Sequence, residues 1–144
     1  MKIKIIYETQ NGSTQYVAEV MQRRLAAAGN QVDLHSIKYD GENPSLEGYD
    51  AVIFGAPTYD DGKLEPVMLS FITKFAADLS KYKVAVFGLG NSSYPQFCYA
   101  AGILEEWVSK NQGKPLIPAL KVDGFPDNLK PIENWIDQLL PALA

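Results

Sequence analysis

The sequence predicts an α/β three-layer sandwich: one five-stranded parallel sheet in the order 2-1-3-4-5, with helices on both faces. Three observations carry that expectation. Strand-like and helix-like patterns alternate five times along the chain. The first, third and fourth strand-like segments are apolar throughout, as strands covered on both faces are. The chain has 144 residues and is 47% hydrophobic, which suffices for one domain with its own core. No Ser/Gly-rich linker, long charge run or repeat divides it, so residues 1–144 are expected to form a single domain. For five βα units the common doubly wound order is 2-1-3-4-5, which reverses between strands one and three.

The elements follow in order. Lys2-Ile3-Lys4-Ile5-Ile6-Tyr7 is short and β-branched, which predicts a strand. From Ser13 the period changes, and Val17, Val20, Met21 and Leu25 share one helical face that ends near Gly29-Asn30. Gln31-Val32-Asp33-Leu34-His35 alternates like a half-covered strand. Gly41, Pro44 and Gly48 leave room for only a short helix before the buried strand Ala51-Val52-Ile53-Phe54. Pro66 suits the first turn of a helix, whose face is lined by Val67, Met68, Phe71, Ile72 and Phe75. Val84-Ala85-Val86-Phe87 is the fourth strand, followed by a helix marked by Phe97, Ala101, Leu104 and Val108. Leu116-Ile117 and Leu120-Lys121-Val122 predict a last, less regular strand. Ile132, Ile136, Leu139 and Leu140 mark the closing helix.

Composition removes several classes of function. A net charge of −4, from 13 basic and 17 acidic residues, lacks the concentrated basic face that nucleic acid requires. No apolar stretch reaches the length of a membrane span. Met1-Lys2-Ile3 runs directly into a strand-like segment, without the apolar run and small-residue site of a signal peptide. The single cysteine, Cys98, has no internal disulfide partner, which fits a reducing compartment. A cytoplasmic location is the expectation.

Ligands of such sheets bind at the carboxyl ends of the strands, beside the switch point. That singles out the loops after strands one, three and four. The first, Thr9-Gln10-Asn11-Gly12-Ser13-Thr14, opens onto a helix, where unpaired N–H groups and the helix dipole stabilise an anion. It has no lysine, so it is not a nucleoside-triphosphate loop. Taken alone it reads as a Ser/Thr-rich helix cap. The second, Pro57-Thr58-Tyr59-Asp60-Asp61-Gly62, carries an aromatic ring and two carboxylates. The third, Gly88-Leu89-Gly90-Asn91-Ser92-Ser93-Tyr94-Pro95-Gln96-Phe97-Cys98, offers bare backbone, an amide and a second ring. A hydroxyl-rich anion cup beside two rings on separate loops suits a flat heterocycle with a phosphate. Flavin mononucleotide (FMN) has that form.

These loops resemble those of the flavodoxin family. Thr9 to Thr14 looks like its phosphate loop, of pattern T/S-x-T/N-G-x-T. Phe87 to Tyr94, followed by Phe97-Cys98, is similar to the ring-binding loop nearly residue for residue. Thr58 to Gly62 matches the middle loop, with Tyr59 where many members carry tryptophan and Asp60 where most carry glycine. The resemblance spans the whole chain, and the absence of an insertion through Leu116–Val122 points to the short-chain type. FMN domains of diflavin reductases share the motifs.

The resemblance implies a flavodoxin-like fold and a low-potential, one-electron carrier whose non-covalent FMN cycles through semiquinone and hydroquinone states. Thr9, Gln10, Asn11, Gly12, Ser13 and Thr14 would hold the phosphate. Tyr59 and Tyr94 would flank the ring, Tyr94 the more coplanar. Backbone around Pro57, Thr58, Tyr59, Asp60 and Gly88, Leu89, Gly90, Asn91 would meet its polar edge, with Phe97 and Cys98 nearby. A monomer is expected, with a flavodoxin or ferredoxin reductase as donor and an acceptor that the sequence does not name. Many members are more acidic than −4. The alternative is an FMN-dependent quinone or azo reductase on the same fold. A receiver domain needs an aspartate at the end of strand three, where Gly55-Ala56 stand.

No catalytic constellation and no metal site are expected. His35 is the only histidine, on a strand away from the three loops, and reads as structural or solvent-facing. Cys98, at a helix start, reads as a packed thiol, and Trp107 and Trp135 as core or core-edge residues. Asp61 and Glu65 read equally as a solvated acidic rim or as a partner patch.

Overall fold

Odd and even residues of β1 (Lys2–Tyr7) part to opposite sides of the sheet: Ile3, Ile5 and Tyr7 enter one core, Ile6 the other. A strand's period of two does the same for its neighbours. In β3 (Ala51–Pro57), Ala51 and Ile53 face the first core while Val52, Phe54 and Ala56 face the second. In β4 (Lys83–Gly90), Ala85, Phe87 and Leu89 oppose Val84 and Val86. A computed structural model describes residues 1–59, 62–93 and 97–144. Its five parallel strands run in the order β2-β1-β3-β4-β5, with β2 at Gln31–Ser36 and β5 at Leu120–Asp123. The expected order is the observed one.

Each core is closed by two helices. On one face α1 (Ser13–Ala27) and α5 (Lys130–Leu143) bury Val17, Met21, Leu25, Ile132, Trp135, Ile136 and Leu139. On the other, α3 (Pro66–Lys74) and α4 (Tyr99–Lys110) bury Met68, Phe71, Leu104, Trp107 and Val108. Phe54 meets Trp107 edge-on at 5.1 Å between ring centroids, one of the two favoured aromatic geometries. Trp135 donates its indole N–H to the Pro118 carbonyl at 2.9 Å, so its polar atom is satisfied at the core edge.

One element is as short as the sequence suggests and another is shorter. α2 is one turn, Ile37–Asp40. It stops at Gly41, whose φ of 112° is outside any helix; beyond it, coil carries Leu46 into the second core beside Ile37. β5 excludes Leu116-Ile117. That stretch makes one isolated bridge, Pro115 to Val84, and the Leu116 amide donates to the Val84 carbonyl at 2.9 Å. Pro115 and Pro118 have no N–H to extend a ladder. His35 is buried, with its Nε2–H donating to the Gly41 carbonyl at 2.7 Å, a structural role.

Candidate functional site

The loop after β1 holds its own shape. The Thr9 hydroxyl oxygen accepts from the Gly12 amide at 2.9 Å, and Asn11 Oδ1 accepts from the Ser13 amide at 3.2 Å. Gly12 takes φ 93°, a left-handed value that costs glycine nothing, and α1 starts at the next residue with no side-chain cap. The amides of its first turn have no intrahelical acceptors. Thr14 is 1% exposed, and its Oγ1 is a buried polar atom with no hydrogen-bond partner among the described residues.

The described residues of the loop after β3 pair as a hairpin does. Thr58 bridges Leu64, the Tyr59 amide donates to the Lys63 carbonyl at 2.8 Å, and Gly62 takes φ 82°. Two bonds fasten this hairpin to its neighbours. The Thr58 amide donates to the Leu89 carbonyl at 2.8 Å, and its hydroxyl oxygen accepts from the Ala100 amide at 2.9 Å. Tyr59 is half-buried on it. Asp60 and Asp61 lie outside the described residues, as does Tyr94 on the next loop.

The loop after β4 leans on other elements. Asn91 Oδ1 accepts from both the amide and the hydroxyl of Ser93. The Asp123 carboxylate accepts from the Ser92 amide at 2.9 Å and its hydroxyl at 2.5 Å, which holds that carboxyl below the usual carboxylate range. Its glycines answer to packing. A Cβ on Gly88 would sit 2.8 Å from the Ala101 nitrogen, and one on Gly90 2.6 Å from the Cys98 nitrogen. The start of α4 therefore lies directly on this strand end. Cys98 turns there with φ 53°, and its buried thiol is pushed up to about 12. It is the packed thiol the sequence suggests.

The three loops enclose one cleft of about 250 Å3. Gln10, Asn11 and Ser13 line one side, Pro57 and Thr58 the second, and Leu89, Gly90 and Asn91 the third. Thr9, Gly12, Thr14 and Tyr59 support it from the same loops. Gly88 is instead buried against α4, and Phe97 and Cys98 line a separate hollow with Tyr99, Ile103 and Lys121. A fourth wall went unread in the sequence: Gly124 and Phe125, just past β5. Phe125 stacks on Tyr16 of α1 at 5.3 Å. The Asp123-Gly124 turn signal was there to be read, and so was the rule that ligands meet strand carboxyl ends.

Two acids near this end of the sheet are buried. Glu65 is 6% exposed, and its carboxylate caps α3 by accepting from the Val67 and Met68 amides at 2.8 and 2.9 Å. It is neither a solvated rim nor a partner patch. Glu8 is 1% exposed; Oε1 lies 3.4 Å from the Ser36 hydroxyl and Oε2 has no partner among the described residues. Burial, and then the Glu65 charge, push its carboxyl above the usual range. Among the described residues no three metal-ligating side chains cluster, and no helix is long and apolar enough to cross a membrane.

This geometry has close counterparts. The flavodoxin family model matches residues 5–135. A flavodoxin of Nitratidesulfovibrio vulgaris is 32% identical over a 146-residue alignment covering 98% of each chain. Probable flavodoxin 2 of Bacillus subtilis is 30% identical over 88% of this chain and 84% of its own. The crystal structure of oxidised flavodoxin 2 from Bacillus cereus superposes with a TM-score of 0.86 at 30% identity, covering 99% and 97%. With the family model matching residues 5–135 and a relative 32% identical over nearly the whole chain, this chain belongs to the flavodoxin family.

Proposed function

We propose that residues 1–144 act as one unit, a one-electron carrier that holds a single FMN non-covalently in the cleft at the carboxyl ends of β1, β3 and β4. The observation that carries this reading is Thr14 Oγ1, a buried hydroxyl at the start of a helix with no partner among the described residues. An unsatisfied buried hydroxyl is costly unless something satisfies it. A phosphate group on the helix N-terminus supplies acceptors for the hydroxyl and for the Thr14 and Gln15 amides, which have none within the helix. FMN fits the donor set.

Within this reading each residue has a task. Thr9 and Asn11 hold the loop's own amides, so the cup is formed before the phosphate arrives. Ser13 and Thr14 supply hydroxyls, and Gln10 edges the cleft. Leu89, Gly90 and Asn91 present backbone to the ring, and Pro57, Thr58 and Tyr59 close the opposite side. The flanking role of Tyr94 and the backbone role of Asp60 rest on the family resemblance. Bound flavin supplies the one-electron chemistry, and the protein supplies orientation and exclusion of water. Electrons would arrive from a reductase of the flavodoxin or ferredoxin type, in the cytoplasm, and leave to a redox partner protein.

The test is titration of the apoprotein with FMN and with riboflavin. One FMN per chain should bind, more tightly than riboflavin, and the loaded protein should be reduced and reoxidised reversibly. Equal affinity for the two ligands would remove the phosphate role of residues 9–14. NAD(P)H consumption by the lone protein would mark a reductase instead.

A further inference from the structure

The loop after β4 is fastened from a side that the three-loop site does not include. β5 pairs with β4 up to Asp123 opposite Gly90, and the Gly124 amide then donates to the Gly90 carbonyl at 2.7 Å. Both hydrogen bonds of the Asp123 carboxylate go across to Ser92, at 2.9 Å from its amide and 2.5 Å from its hydroxyl. A carboxylate that takes two donors from one residue fixes that residue's position and its rotation together. Ser92 follows directly on Leu89–Asn91, which line the cleft. The internal bonds of this loop, Asn91 to Ser93, shape it but do not place it on the sheet. Among the described residues the β5 side does that on this flank. Phe125, two residues on, stacks against Tyr16 of α1, so residues 123–125 tie the ring side of the cleft to the helix that carries the phosphate cup.

We propose that Asp123 is a positioning residue for the flavin-ring side of the site: its carboxylate sets Ser92, and through it the backbone of Leu89 to Asn91, in place for the ring. The proposal rests on the FMN reading above, and it separates ring from phosphate. Losing Asp123 should weaken whatever binds through the ring and leave the advantage conferred by a phosphate untouched.

The experiment titrates apoprotein with FMN and with riboflavin, for the unaltered chain, Asp123→Ala, Asp123→Asn, Ser92→Ala and the Ser92→Ala/Asp123→Ala pair. Asp123→Ala should weaken FMN and riboflavin by the same factor, on the order of tenfold, leaving their affinity ratio unchanged. Asp123→Asn keeps an acceptor for the Ser92 amide and should recover most of the loss. In the Ser92→Ala background, which keeps the amide bond to Asp123 and loses the hydroxyl one, the Asp123→Ala change should cost less than in the unaltered chain. Visible circular dichroism of bound riboflavin should differ between Asp123→Ala and the unaltered chain, a signature that lowered stability alone does not produce. Should Asp123→Ala fail to fold, Ser92→Ala and Asp123→Asn carry the same comparison. Unchanged affinity for both ligands, a loss confined to FMN, or full additivity in the double variant would overturn the proposal. If the unaltered chain bound neither ligand, the FMN reading itself would fall.

Discussion

The loops after β1 and β4 lie across the same cleft and are built on different principles. The first is closed by its own side chains, Thr9 on Gly12 and Asn11 on Ser13. Its conformation needs little from the rest of the fold. The second is placed by contacts far away in sequence: Asp123 on Ser92, Gly124 on Gly90, and α4 packed against Gly88 and Gly90. Local loops of the first kind carry their chemistry in a short motif. Loops of the second kind carry part of it in residues that no motif includes.

Substitutions should separate the two kinds. The largest effect is expected at Gly90→Ala, because the new Cβ would sit 2.6 Å from the Cys98 backbone nitrogen, which cannot yield cheaply. Overpacking of this sort costs about 3 kcal/mol. Urea unfolding of the apoprotein measures it, and a loss below about 1 kcal/mol would show that α4 is not pressed on β4 there. Next comes Thr14→Val in the self-contained loop. It should weaken FMN by about 1.5–3 kcal/mol, the worth of a hydrogen bond to a charged group, and leave riboflavin unchanged. Apoprotein stability should stay level or rise, since the hydroxyl removed has no partner among the described residues. Equal losses for both ligands would take Thr14 out of the phosphate cup.

The smallest effect concerns Glu8, where the first loop begins. Its carboxyl is raised by burial and by Glu65. A raised acid contributes stability that is complete below its unfolded-state range and is lost as pH rises through the folded value. Glu8→Gln should therefore match the unaltered chain in mild acid and become the more stable of the two as pH rises towards neutrality. Parallel unfolding curves across pH provide the comparison. A constant difference between the two proteins would mean that Glu8 is not the group being strained.

Much of the fold was legible because it depends on periods. Unbroken apolar content in β1, β3 and β4 foretold a sheet covered on both faces, and Ile3, Ile5 and Ile6 sort into the two cores as period two demands. Gly41, Pro44 and Gly48 foretold a curtailed α2. The last strand was over-read at Leu116-Ile117 because apolar content masked the two missing proline amides. In the site, the shape of the loop after β1 was readable for the same reason that it is stable: its partners are two or three residues apart. Gly88 was read as bare backbone for a ligand, whereas it makes room for Ala101. Asp123 and Phe125 were missed because their partners, Ser92 and Tyr16, are remote in sequence and meet only after the sheet forms. Glu65 was read as surface because nothing in a linear string shows that an acid before Pro66 turns back onto two amides.

Cys98 gives the molecule an internal clock for its own breathing. The thiolate is the form that reacts with alkylating reagents, and here the thiol is 1% exposed, pushed up to about 12 by burial, and wedged between the Gly88 and Val122 carbonyls at 3.6 and 3.5 Å. In the closed state it is silent. Labelling therefore proceeds only through openings that lift the start of α4 from β4, and the ratio of native to unfolded labelling rates gives the free energy of that opening. Since the sequence holds no second cysteine, the signal comes from one place, next to the loop whose placement the cleft depends on.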